Sequence, residues 1–154
     1  MKTIVIYYSY SNNTKQIAEK IKNKLNCDIL ELTPTIPFSE DYQTVVDEYQ
    51  NNESEKQTVE IKDINIDLNN YDKIILGTPV WWYTISPVIR TFLKKYDLTN
   101  KQIYPFATNA GWLGRTFKEI KEICNGKIKE GLSVKFENKQ LINEQELDSW
   151  INNI

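Results

Sequence analysis

"MKTIVIYYSYSNNTKQIAEKI" (residues 1–21) opens the chain. Residues 3–8 form an almost unbroken run of apolar, β-branched and aromatic side chains, the pattern of a strand buried on both faces of a parallel sheet. A polar stretch, "SYSNNT" (9–14), comes next. Ile17, Ala18, Ile21 and Leu25 then recur on one face of a helix. A strand, a short turn and an amphipathic helix in that order begin a β–α–β unit.

The same alternation continues outward from this opening. "DILEL" (28–32), "KIILGT" (73–78), "QIYPFAT" (102–108) and a weaker "GLSVKF" (131–136) predict four more strands. Helices are predicted between and after them. Val88, Phe92, Leu93 and Tyr96 share a face behind Ser86 as N-cap and Pro87 as first helical residue. Phe117, Ile120 and Cys124 mark the next helix. "NEQELDSWINNI" (143–154) closes the chain, with Asn143 and Glu146 spaced as a capping box and Leu147, Trp150, Ile151 and Ile154 on one stripe. The expected fold is α/β, a three-layer doubly wound parallel sheet of five strands joined by right-handed crossovers. One domain over residues 1–154 accounts for the length. Residues 33–71 are the exception. A helix fits Tyr42, Val45, Val46 and Tyr49, but the polar stretch beyond shows no sustained periodicity, so a long crossover covering the site is expected there.

Composition narrows the chemistry. The net charge is -2 and the pI about 5.3, with no basic patch, so no nucleic-acid partner is expected. No apolar run reaches the roughly 18 residues of a membrane span, and the N-terminus lacks a signal-peptide cleavage pattern; a cytoplasmic protein is expected. Cys27 and Cys124 are far apart and read as two thiols in a reducing compartment. The chain contains no histidine. That excludes Ser-His-Asp and Cys-His nucleophilic chemistry and the commonest zinc ligand. No metal site and no catalytic side chain is expected; reactivity would come from carboxylates, tyrosines, backbone or a borrowed cofactor.

In a doubly wound sheet, ligands sit beyond the carboxyl ends of the strands, where the strand order reverses. Three stretches lie there. In Ser9, Tyr10, Ser11, Asn12, Asn13 and Thr14, three hydroxyls and two amides surround a helix N-terminus, which attracts anions through its free N–H groups. A helix cap alone would need one such residue, so the excess points to a phosphate dianion held by neutral donors. In Thr78, Pro79, Val80, Trp81, Trp82 and Tyr83, adjacent indoles and a phenol suggest a planar heterocycle to stack on, with one of the two tryptophans serving as core packing. In Thr108, Asn109, Ala110, Gly111 and Trp112, glycine admits close backbone approach and another indole is supplied. Phosphate donors and aromatic loops at one sheet edge describe a flavin mononucleotide (FMN) site.

"YYSYSNNTKQIAEKI", "KIILGTPVWWYTISPVIRTFLKKYDL" and "IYPFATNAGWLGRTFKEIK" resemble the matching segments of the flavodoxin family, in particular a small bacterial flavodoxin-like branch. The likeness covers most of the chain outside residues 34–70. It implies strand order 2-1-3-4-5, non-covalent FMN, and the three stretches above as its phosphate loop and two flavin loops. Asn12 and Tyr83 stand where relatives commonly carry glycine, and the third loop is about one residue shorter and bulkier than usual. Arg115 there has three readings, facing a flavin carbonyl, a nicotinamide phosphate or only solvent, with solvent the simplest. The function implied is an electron carrier between a reductase and acceptor proteins, acting as a monomer or weak dimer. An FMN-dependent NAD(P)H:quinone or nitro-compound reductase is the alternative, favoured by a charge too small to steer strongly towards basic partners. A domain that kept the fold and lost the cofactor is a third class.

Overall fold

The computed structural model describes residues 2–41, 43–45 and 58–154. Its first strand, β1 (Thr3–Tyr7), is flanked on both sides by parallel neighbours, β2 (Asp28–Glu31) and β3 (Lys73–Trp81). Beyond β3 lie β5 (Gln102–Asn109) and β7 (Leu132–Glu137), also parallel. The five long strands thus run β2-β1-β3-β5-β7, which is the expected 2-1-3-4-5 order. The sheet departs from five strands by three two-residue additions: β4 (Thr84–Ile85), β6 (Lys127–Ile128) and β8 (Gln140–Leu141). β4 and β8 are antiparallel to β3 and β7, so strands three and five each end in a hairpin where the sequence suggested loops.

β6 and β7 are two parts of one edge strand, paired to the start and end of β5 respectively. Pro105 explains the interruption. Backbone groups of residues two apart in a strand point the same way. The Lys129 N–H donates to the Ile103 carbonyl at 2.8 Å, so Pro105 also faces the fifth strand, and it has no N–H to offer.

Alternate residues of the strands feed two apolar layers. Ile4, Ile6, Ile74 and Leu76 pack against Val88, Ile89 and Phe92 of α2 (Pro87–Lys95) and Ile120 of α3 (Thr116–Ile123). Val5, Tyr7, Ile75 and Val134 pack against Ile17, Ala18 and Ile21 of α1 (Asn13–Leu25) and Leu147 and Ile151 of α4 (Glu144–Asn152). Helices on both faces complete the three-layer α/β fold. Gly77 marks a close approach inside it: a Cβ there would lie 2.3 Å from the ring of Phe106, its register partner on β5.

The start of α2 is as expected, with Pro87 first in the helix and the Ile89 N–H donating to Ser86 Oγ at 3.3 Å. The start of α4 is as expected in position only: Asn143 is the N-cap residue and its amide donates to Glu146 at 3.4 Å, but its side chain caps no helix N–H. Its side chain accepts from the Lys135 N–H and donates to the Ser133 carbonyl, both at 2.8 Å, because β7 competes for the amide. In the crossover, residues 43–45 are helical; Tyr42, Val46 and Tyr49 lie outside the described residues. Further on, Val59, Ile61, Ile64, Ile66 and Leu68 pack onto the first apolar layer. Their near-alternating spacing is a periodicity the sequence reading missed, since only Ile61 makes a bridge, with Pro34. Both cysteines are free and half-buried. Burial pushes both thiols up, and the Asp28 charge raises Cys27 further, which favours the neutral thiol at both positions.

Candidate functional site

The turn after β1 delivers a helix start without a conventional cap. Asn12 sits at φ 75°, in the left-handed region that asparagine tolerates better than most residues, and its side chain makes no cap hydrogen bond. Ser9 Oγ instead accepts from the Lys15 N–H at 3.1 Å. The Thr14 hydroxyl is buried and pairs with the Thr108 hydroxyl at 2.7 Å, joining the start of α1 to the end of β5. Tyr10, Ser11 and Asn13 line an adjacent cleft. Its volume is about 530 Å³, within the range of small-molecule and cofactor sites.

The second stretch forms one wall. Pro79, Val80, Trp81 and Trp82 line the cleft, whereas Thr78 is buried beneath it, donating to the Pro79 carbonyl and accepting from the Ser86 N–H. Trp81 packs in an aromatic cluster, 5.5 Å from the Tyr10 ring and 4.9 Å from Phe38, also touching Tyr8. It is the tryptophan that doubles as core packing. Tyr10 is fixed in turn by its hydroxyl, which donates to the Ser39 carbonyl.

Trp82 and Tyr83 connect β3 to β4 as a two-residue turn with φ 50° and 65°. Paired positive φ values suit the twist of a tight hairpin but are costly for aromatic residues, about 1–2 kcal/mol each. The surroundings hold them in place. Arg115 donates its N–H to the Tyr83 carbonyl at 2.6 Å, and Gly114 lies so close that a Cβ would come within 2.2 Å of that oxygen. Beneath the turn, Thr84 donates its hydroxyl to Glu119, which also receives Arg90 through Nε at 2.5 Å and through a second nitrogen at 2.8 Å. Arg90 and Glu119 are both buried, so this two-point ion pair fixes β4, α2 and α3 in one arrangement.

The third stretch divides. Thr108, Asn109 and Ala110 line the cleft, and Asn109 is oriented by donating to Ser133 Oγ at 2.9 Å. Gly111 and Trp112 do not line it. Trp112 is 71% exposed and meets the Tyr83 ring edge-on at 6.3 Å, outside the cleft with Tyr83. Arg115 faces outward and pairs with Glu122 at 2.9 Å.

Four lining residues lay outside the sequence reading: Val45, Phe136, Asn138 and Lys139. The last three belong to the β7–β8 hairpin, whose turn residues Asn138 and Lys139 have φ 51° and 65°. "EN" after an alternating strand was the available signal, obscured because lysine rather than glycine follows the asparagine.

These surroundings fit a flavin nucleotide. Hydroxyls and a helix start without a side-chain cap offer donors for an anion at one end, and indole and phenol rings border the other. Such a chain is matched over residues 2–154 by the family model for flavodoxin. No curated protein is significantly similar to it. Among solved structures it is similar to a flavoprotein of Lactobacillus acidophilus NCFM in complex with FMN, with 29% identity, 97% of each chain covered and a TM-score of 0.74. The apo form of the flavoprotein from the same organism matches at 27% identity and TM-score 0.63, covering 97% of this chain and 96% of that one. Oxidised flavodoxin 1 of Bacillus cereus shares the fold at 17% identity and TM-score 0.57, over 99% of this chain and 94% of that one.

Proposed function

The chain belongs to the flavodoxin family, and on that premise we propose that it binds FMN non-covalently and carries electrons between a reductase and an acceptor protein. The observation that carries this reading is the continuity of the cleft from the start of α1 to Trp81 and Trp82. When bound, FMN supplies a ring system that accepts and releases electrons. Ser11, Asn13 and the first N–H groups of α1 hold the phosphate. Thr14 and Thr108 fix the spacing between the two loops that approach it. Trp82, on its braced turn, borders the ring and limits water. The exposed Tyr83–Trp112 edge lies beside that wall, where a partner protein would approach.

The direct test is titration of the apoprotein with FMN and with riboflavin, which lacks the phosphate. Ser11→Ala should weaken FMN by about 1–3 kcal/mol, since it removes a hydroxyl donor to a charged group, and leave riboflavin nearly unchanged. Equal losses for both ligands would place Ser11 in the fold and not in phosphate binding. Reduction of the FMN-loaded protein only when a separate reductase is present supports the carrier role. Multiple turnover with NADPH alone would replace it with a reductase.

A further inference from the structure

Among the described residues that line the cleft, Lys139 is the one side chain carrying a formal charge. It stands at the tip of the β7–β8 hairpin at φ 65°, a conformation lysine adopts only against a cost. The hairpin is firmly seated. Asn143 bonds the backbone of Ser133 and Lys135, the Ile142 N–H donates to the Lys135 carbonyl at 2.9 Å, and Phe136 is buried. Lys139 itself is exposed and has no ion-pair partner among the described residues.

Its position within the cleft follows from the packing. Phe136 belongs to the apolar layer that contains Ile17 and Ala18 of α1, while Trp81 and Tyr10 pack against the opposite layer. β7 pairs with β5 as far as Asn109 and Lys135, and the hairpin continues past that point, beyond the carboxyl edge of the sheet. The lysine therefore enters the cleft from the same face as α1, whose first residue, Asn13, and the turn before it, with Ser11, contribute to the lining. Resting on the FMN reading, we propose that Lys139 is a specificity-determining residue that supplies a positive charge to the phosphate end of the bound nucleotide. The phosphate is then held by neutral donors on one side and by a mobile cation on the other, and the cleft favours FMN over uncharged riboflavin by charge as well as by hydrogen bonds.

The test compares FMN and riboflavin dissociation constants for the wild-type apoprotein, Lys139→Gln and Lys139→Gly, at low and high salt. For both variants the FMN constant should rise roughly two- to fivefold at low salt, the span of an exposed ion pair. The gap should narrow at 1 M salt, where screening acts within about 3 Å. Riboflavin should bind all three alike. Lys139→Gly separates charge from fold, because glycine accepts the positive φ and the hairpin should be at least as stable. An unchanged FMN constant overturns the proposal, as does an equal loss with riboflavin. A wild-type protein that binds neither flavin would overturn the FMN reading itself, a result distinct from either.

Discussion

Two hairpins at the same edge of the sheet share a backbone design and differ in almost everything else. Trp82–Tyr83 and Asn138–Lys139 are both two-residue turns with paired positive φ, and both border the cleft. The first puts aromatic residues where they are strained and secures them with a buried ion pair, a glycine contact and a backbone hydrogen bond from the neighbouring loop. The second uses polar residues, one of them asparagine, and is seated by the amide of Asn143, a backbone bond from Ile142 to Lys135 and the buried Phe136. A stiff wall beside a flat ring requires buried support from other elements. A charged tip facing a solvated phosphate does not, because an exposed lysine can adjust to the ligand.

The comparison breaks most sharply at the ion pair. Glu119→Ala leaves Arg90 buried without its partner and should cost on the order of 3–5 kcal/mol in urea unfolding. No single substitution in the second hairpin should approach that. Gly114→Ala comes next, combining φ 58° with a Cβ 2.2 Å from the Tyr83 carbonyl; a loss of at least about 2 kcal/mol is expected by the same measurement. Replacing the strained residues themselves sharpens the contrast. Lys139→Gly should stabilise by about 0.5–1 kcal/mol, having little packing to lose. Tyr83→Gly relieves similar strain but loses the ring contact with Trp112, worth about 0.5–1.5 kcal/mol, so its net effect should be near zero.

The smallest effect concerns α4, which follows the second hairpin. A hydrogen bond from Lys24 holds the Asp148 carboxyl below its ordinary range, with the Lys20 charge adding to it. A group depressed in the folded state contributes stability above its unfolded pKa and loses it as pH falls through the lower folded value. Asp148→Asn should therefore lower stability slightly near neutral pH and leave it unaltered at the acid end, flattening the acid limb of a thermal-melt pH series.

These contrasts mark where sequence was readable. Strand runs such as 3–8 and 73–78 are legible because burial on both faces forbids polar interruption, and Ser86–Pro87 is legible because a cap and a fixed φ act locally. The chemistry of Ser11, Asn13, Trp81 and Trp82 could be read from residue type alone. Lys139 could not, since nothing near it in sequence points to the start of α1 some 125 residues earlier. The support under Trp82 was equally hidden: Arg90 and Glu119 look like ordinary surface charges of two amphipathic helices until those helices are brought together. Asn143 shows the converse: the local signal placed the helix start correctly, but the side-chain amide bonds β7 instead of a helix N–H.

The vacancy at Gly77 has a consequence for alignment. Because the Phe106 ring fills the space above that residue, β3 and β5 are indexed to one another like a peg in a notch. Sliding either strand by two residues, the smallest shift that keeps its faces, would drive the ring into a side chain. The two segments that leave these strands, one bearing Trp82 and the other Asn109, are thereby set at a fixed offset long before any ligand arrives.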